Sequence, residues 1–389
     1  MSHVDSRTSM QLDILRGGAA VAVFINHWRN LTLVDSRDLR IPNLATKMLY
    51  FATGFGHQAV VVFFVLSGYL VGTAVVRAEW GGTWSWSAFA AARLSRLLIV
   101  LWPALVLQTI LDTLGMHLFG IGSVYSGAWG NVQSGPVASR LSLGIGLGNA
   151  FFLQEILCPT FGSNSPLWSL SYEFWYYLAF PFGVQLLSWR RSISERLLAL
   201  TASCAIALFV GSGVRSMAPL WLLGVVVGCA SRRRWTLLAR RVFGSVTAAL
   251  AVSALALARL GKFTEIGALA SDYVVGICVA LFIYSLVTAR ESPAPHGVAL
   301  RLATFMARSS YTLYLVHLPA LMFAVAASRQ EARWEPGTRA SAFAWVILGV
   351  VYCYVVVVYA LFERRTETLR ALFNKILSRV PVHEHALPK

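Results

Sequence analysis

The chain reads as an all-α, polytopic membrane helix bundle: about ten transmembrane helices plus one short re-entrant or interfacial helix. Three observations predict this. Of its 389 residues, 57% are hydrophobic and only 13% are charged, more apolar surface than a soluble chain of this size hides. The apolar residues come in runs of about 20, the length that crosses a hydrocarbon core. Arginines gather in short clusters between those runs, as in loops held at an anionic cytoplasmic face.

The runs are Gln11–Leu33, His57–Val76, Leu94–Leu114, Leu167–Leu187 and Leu197–Val214, then Met217–Ala230, Phe243–Leu260, Tyr273–Val287, Phe305–Ala326 and Ala340–Phe362. The first carries Asp13, Arg16 and His27 and has no small-residue cleavage site, so it reads as a span and not as a leader. An eleventh run, Leu141–Leu157, is short and Gly-rich, with Asn149, Gln154 and Glu155 inside it.

Charge decides whether that run crosses. With the N-terminus and Arg7 inside, Arg77, Arg93 and Arg96 also fall inside. A crossing at Leu141–Leu157 would then put Arg190/Arg191/Arg196 and Arg232/Arg233/Arg234/Arg240/Arg241 outside, against the rule. Without it both clusters lie inside, with Arg290, Arg301, Arg308 and the tail's Arg364, Arg365, Arg370, Lys375 and Arg379. Outside remain Arg329, Arg333 and Arg339, offset in part by Glu331 and Glu335. Both termini are therefore expected in the cytoplasm. Residues 1–363 form one membrane domain and 364–389 a basic tail lying on the surface.

The net charge of +16 belongs to this loop pattern and excludes a nucleic-acid binder. Cys158, Cys204, Cys229, Cys278 and Cys353 form no C-x-x-C pair and read as small buried hydrophobes. Nucleotide loops, H-E-x-x-H, G-x-S-x-G and metal-spaced Cys/His sets do not occur. The absence of an internal repeat counts against an inverted-repeat transporter.

Ionisable groups at membrane depth are costly and mark sites. Arg16 and His27 stand eleven residues apart, roughly 16 Å along a helix, so they can address two ends of one long substrate. Asp13 pairs with Arg16 at i, i+3. His27 is the side chain suited to take a proton from a hydroxyl near neutral pH. Glu173 follows Trp168 in an aromatic stretch and shares the depth of His27, which predicts a carboxylate–imidazole pair. Arg93 and Arg96 present two guanidiniums on one face, suited to phosphates or to simple anchoring. Ser67-Gly68 allows close helix approach. His317 lies mid-membrane and is expected to support the site or line the substrate path. Glu363 reads as a structural partner for its neighbouring arginines.

Leu12-Asp-Ile-Leu-Arg-Gly…His27, Phe63-Phe-Val-Leu-Ser-Gly68, Arg93-Leu-Ser-Arg96, Trp168-Ser-Leu-Ser-Tyr-Glu173 and Tyr311-Thr-Leu-Tyr-Leu-Val-His317 occur in one order. Together they resemble the integral-membrane acyltransferase family 3, whose members O-acylate bacterial cell-envelope glycans and some small molecules. The resemblance runs from about Leu12 to Glu363. It implies an enzyme of the bacterial inner membrane that moves acetyl or longer acyl groups from cytoplasmic acyl-CoA to a glycan hydroxyl facing the periplasm. Acyl-CoA is then a co-substrate, and no metal or resident cofactor is implied. By position, Arg16, Arg93 and Arg96 correspond to the acyl-CoA contacts, and His27, Glu173 and Asp13 are the expected catalytic groups. His317, Ser67, Trp168 and Tyr311 support them. Gly17-Gly18-Ala19 departs slightly from the family's bulkier middle residue. The esterase-like domain of some members is missing, so a second transfer would need a separate partner. Lipopolysaccharide O-antigen, exopolysaccharide, peptidoglycan, periplasmic glucan and a small secondary metabolite are the candidate acceptors, with the outer segment from Gly115 to Ser165, including Tyr125 and Trp129, expected to choose among them. The rival reading is a proton-coupled transporter using His27, Glu173 and His317 as a relay.

Overall fold

The computed structural model describes residues 6–40, 42–121, 124–127, 135–230, 236–288, 297–329, 332–337 and 339–377. Arg232, Arg233, Arg234, Arg290, Arg379, Trp129 and Glu331 lie outside them. The described residues form helices and no strand, with isolated bridges at Leu33–Trp334 and Gln154–Cys158.

The helices are α1 (Ser6–Thr32), α2 (Leu44–Ala52), α3 (Gly56–Ser67), α4 (Thr73–Trp80), α5 (Trp86–Phe119), α6 (Leu143–Ala150), α7 (Leu167–Leu187) and α8 (Ile193–Phe209). They continue as α9 (Ser212–Cys229), α10 (Leu237–Arg259), α11 (Ala268–Val287), α12 (Val298–Arg308), α13 (Ser310–Ala327), α14 (Arg339–Leu361) and α15 (Thr366–Leu377). Short polar side chains start several of them. Ser85, Ser142 and Thr236 each accept the N–H three residues on, and Ser192 with Glu195 forms a capping box.

Seven helical segments are long and apolar enough to cross a membrane, which fits the expected bundle but not its count of ten. The shortfall has a physical reason. α8 has only 17 residues, and α1 and α7 are diluted by the polar and aromatic residues described below. α6 has eight residues, about 12 Å, so the Leu141–Leu157 run is too short to cross. The expected span from Phe305 is broken at Ser309, and α13 starts at Ser310.

α3–α4 and α13 form the buried centre, whereas α10 and α14 lie at the periphery. α1 packs against α3, α12 and α13, and α13 also meets α5 and α14. α15 lies along α5. Apolar contact alone does not drive helices together in lipid, so close backbones and interhelical hydrogen bonds carry more of the specificity. Tyr176 Oη donates to the Val214 carbonyl (2.6 Å), Asn164 Nδ2 to Leu315 (2.7 Å) and Tyr311 Oη to Leu97 (2.9 Å). The cysteines depart from expectation: Cys204, Cys229 and Cys353 are exposed on the bundle surface.

Between α3 and α4 the helix widens into a π-helical segment, Gly68–Gly72, packed on α9. A Cβ on Gly68 would stand 1.8 Å from the Trp221 carbonyl oxygen, and one on Gly224 would stand 2.0 Å from that of Val65. Only glycines permit this approach, because backbone atoms cannot turn aside. The segment sets Ser67, just before it, against α7 and α9.

Candidate active site

A cavity of about 120 Å³ opens between α1, α3, α5, α7 and α13. Its walls bring together Arg16, Ser67, Arg93, Arg96, Glu173 and Tyr311, six of the expected site residues, with Phe63, Tyr177 and Tyr314. Three guanidiniums facing one carboxylate give the space a net positive charge suited to an anionic ligand.

Each cation is held differently. Arg16 donates to Asp13 Oδ1 at 2.9 Å, as the i, i+3 spacing predicts. Asp13 itself does not line the cavity; it holds Arg16 there. Arg93 lies between two rings, its guanidinium carbon 6.0 Å from the centres of both Phe89 and Tyr177. Arg96 is exposed. The Nε atoms of Arg16 and Arg93 are buried without a hydrogen-bond partner.

Ser67 is the hub of the opposite wall. Its hydroxyl donates to Glu173 Oε1 (2.5 Å) and accepts from Trp221 Nε1 (3.1 Å). Tyr177 Oη donates to the same carboxylate oxygen. Glu173 is thus held by Ser67 and Tyr177, and the expected Glu173–His27 pair is not formed. Ser169, Glu173 and Tyr177 recur every four residues on α7 and so share the face toward the cavity. Tyr177 is legible by that spacing, whereas Tyr314 lies on α13 and has no such signal.

His27 pairs with His317 instead. His27 Nδ1 and His317 Nε2 are 2.8 Å apart, with near-parallel rings. His317 is fully buried, and its Nδ1 lies 2.8 Å from the Leu313 carbonyl. A carbonyl only accepts, so His317 Nδ1 carries the proton and Nε2 of the neutral ring is an acceptor. His27 Nδ1 must then donate, which leaves the lone pair on His27 Nε2. The pair stands just beyond the cavity wall, since Tyr314, one turn before His317 on α13, has its ring centre 6.3 Å from that of His317.

Residues 11–362 match the family described as acyltransferase domain, nearly the whole chain. The chain belongs to acyltransferase family 3. No curated protein and no solved structure matches it. The acyltransferase therefore has its family's expected arginines gathered at one cavity and its histidine fixed in one tautomer beside it. Trp168 takes a packing position, with its ring 6.1 Å from Phe64 and 5.1 Å from Tyr172. Glu363 also differs from expectation. It accepts from the Thr312 N–H (3.0 Å) and hydroxyl (2.6 Å) at the start of α13, not from its neighbouring arginines.

Proposed function

We propose that this acyltransferase moves an acetyl or longer acyl group from cytoplasmic acyl-CoA to a hydroxyl of an envelope or exported glycan. The observation that carries the reading is the His27–His317–Leu313 chain standing beside a cavity lined by three guanidiniums. Arg93, Arg96 and Arg16 pair with the donor's phosphates, as bidentate guanidiniums do. The slender pantetheine arm follows the cavity, and its thioester passes Phe63 and Tyr314 to reach His27. His27 Nε2 takes the proton of the acceptor hydroxyl as its oxygen attacks the thioester carbonyl; the C–S bond breaks, and the CoA thiolate receives that proton. Alternatively Nε2 attacks the thioester carbonyl first and the C–S bond breaks, expelling CoA thiolate. The acceptor hydroxyl then attacks the acyl-imidazole, the C–N bond breaks to restore the ring, and the hydroxyl proton goes to the thiolate. The bundle keeps water from the thioester in either course.

On this reading the basic end of the bundle and both termini face the cytoplasm of a bacterial inner membrane. The test is release of free CoA thiol from acetyl-CoA by the purified chain in the presence of candidate acceptors: O-antigen, exopolysaccharide or small alcohols. Acceptor-dependent thiol release supports acyl transfer from CoA, and its absence with every acceptor, beside an active control, counts against it. Radiolabel retained on denatured protein without acceptor selects the acyl-imidazole course, and its absence selects direct transfer.

A further inference from the structure

A cluster of aromatic rings at the start of α5 leads into the cavity. Trp86, Phe89, Arg93 and Arg96 fall at i, i+3, i+7 and i+10, one face of a helix. Arg93 and Arg96 end that stripe in the cavity wall, and Trp86 begins it about 10 Å away along the axis. Trp84 joins the cluster, with ring centres 5.2 Å from Trp86 and 5.1 Å from Phe89, and Phe182 of α7 lies 4.6 Å from Trp86.

Tryptophans near helix ends ordinarily form an interfacial belt, turning their N–H groups to lipid headgroups. Here both groups are turned into the protein. With its amide oxygen toward the indoles, buried Gln185 accepts from Trp84 Nε1 (2.9 Å) and Trp86 Nε1 (3.2 Å). That clamp fixes both rings while leaving each half-exposed. Phe89 then connects them to the cavity, since the Arg93 guanidinium lies over its ring.

We propose that Trp84 and Trp86 form a stacking platform for the adenine of the acyl-CoA donor, an inference that rests on the donor assignment above. The geometry orders the ligand. In CoA the diphosphate lies between the adenosine and the pantetheine arm, and a third phosphate sits on the ribose. With the arm in the cavity and the phosphates at Arg93 and Arg96, the purine is left outside, where the same helix face offers the clamped indoles. Trp84 and Trp86 are not part of the cavity lining, so a purine on them stands outside the space that the arm fills.

The experiment compares two donors on the full-length chain in nanodiscs: acetyl-CoA, and S-acetyl-4′-phosphopantetheine, which lacks the adenosine together with its 5′- and 3′-phosphates. Trp86→Ala is expected to raise KM for acetyl-CoA about tenfold, the scale of one lost base–aromatic stack. KM for the truncated donor and kcat with both donors stay at wild-type values, and Trp86→Phe restores most of the acetyl-CoA KM. Adenosine 3′,5′-bisphosphate competes with acetyl-CoA in the wild type and loses about tenfold in potency in Trp86→Ala. An unchanged acetyl-CoA KM in Trp86→Ala, or equal losses with both donors, overturns the platform while the donor assignment stands. Absence of wild-type turnover with acetyl-CoA, beside turnover with another acyl donor, overturns the donor assignment and the platform together.

Discussion

His317 holds His27 in a single tautomer: its Nε2 lies 2.8 Å from His27 Nδ1 while its Nδ1 is engaged by the Leu313 carbonyl. His27→Ala is therefore expected to lower kcat by about 10³-fold, within the range for loss of a general base. His317→Ala should lower kcat on the order of 10²-fold with KM for the donor unchanged, because His27 stays but its ring is free to turn. Steady-state kinetics on equal amounts of membrane-inserted protein check both. Wild-type kcat in His317→Ala would show that the pair does not position the base.

On the proposed reading the cavity cations act on the donor before chemistry. Arg93→Ala and Arg96→Ala are each expected to raise KM for acetyl-CoA about tenfold, with smaller changes in kcat. The loss should be greater for Arg93, which is held between Phe89 and Tyr177, than for exposed Arg96. Raising ionic strength should weaken wild-type donor binding and narrow its difference from the variants. Arg93→Lys should restore the effect only in part, since an ammonium cannot reproduce the planar stacked fork. Donor titrations at low and high salt check this, and an unchanged KM in both alanine variants would leave the arginines as membrane anchors.

Much of this site was legible because helical spacing fixes which residues share a face and a depth. Arg16 with Asp13 follows from i, i+3, and Arg93 with Arg96 does as well. Spacing within one helix says nothing about how two helices are turned toward each other. Glu173 was matched to His27 by depth, yet α7 turns that carboxylate to Ser67 and Tyr177. His317 was visible as a buried imidazole, but its partner on α1 depends on rotation about both helix axes. The same limit hid the π-helical segment, which needs the glycine contacts of α9 to be seen. The count of ten spans is not confirmed where polar and aromatic residues dilute hydropathy: α1 and α7, the helices bearing His27 and Glu173, do not reach the apolar character of the seven.

Gly68, next to cavity-lining Ser67, packs directly on the backbone of α9. Gly68→Ala places a methyl against the Trp221 carbonyl, which cannot move without shifting α9, and the cost of such overpacking is about 1–3 kcal/mol or more. Gly244→Ala on α10 is the matched control, because its added Cβ meets nothing within 4 Å. Thermal unfolding in detergent should show a lower Tm for Gly68→Ala and none for Gly244→Ala. Displacement of Ser67 should also reduce activity in the first variant. Equal Tm values would mean that α3 and α9 are not locked as described.

Glu363 couples the last apolar helix to the helix that carries Tyr311, Tyr314 and His317. The break at Ser309 leaves the first N–H groups of α13 without a local side-chain cap, and Glu363 supplies an acceptor from across the bundle. Glu363→Ala removes both bonds to Thr312 and is expected to cost about 1–2 kcal/mol, the scale of a lost helix cap. Glu363→Gln keeps an oxygen able to accept from Thr312 and loses only the charge. If the hydrogen bonds matter most, Glu363→Gln retains nearly wild-type Tm and kcat, while Glu363→Ala loses both as the start of α13 frays. If the charge at the helix N-terminus matters most, the two variants fall together. Tm and kcat measured side by side decide, and wild-type values in both variants would show that α13 starts without help from Glu363.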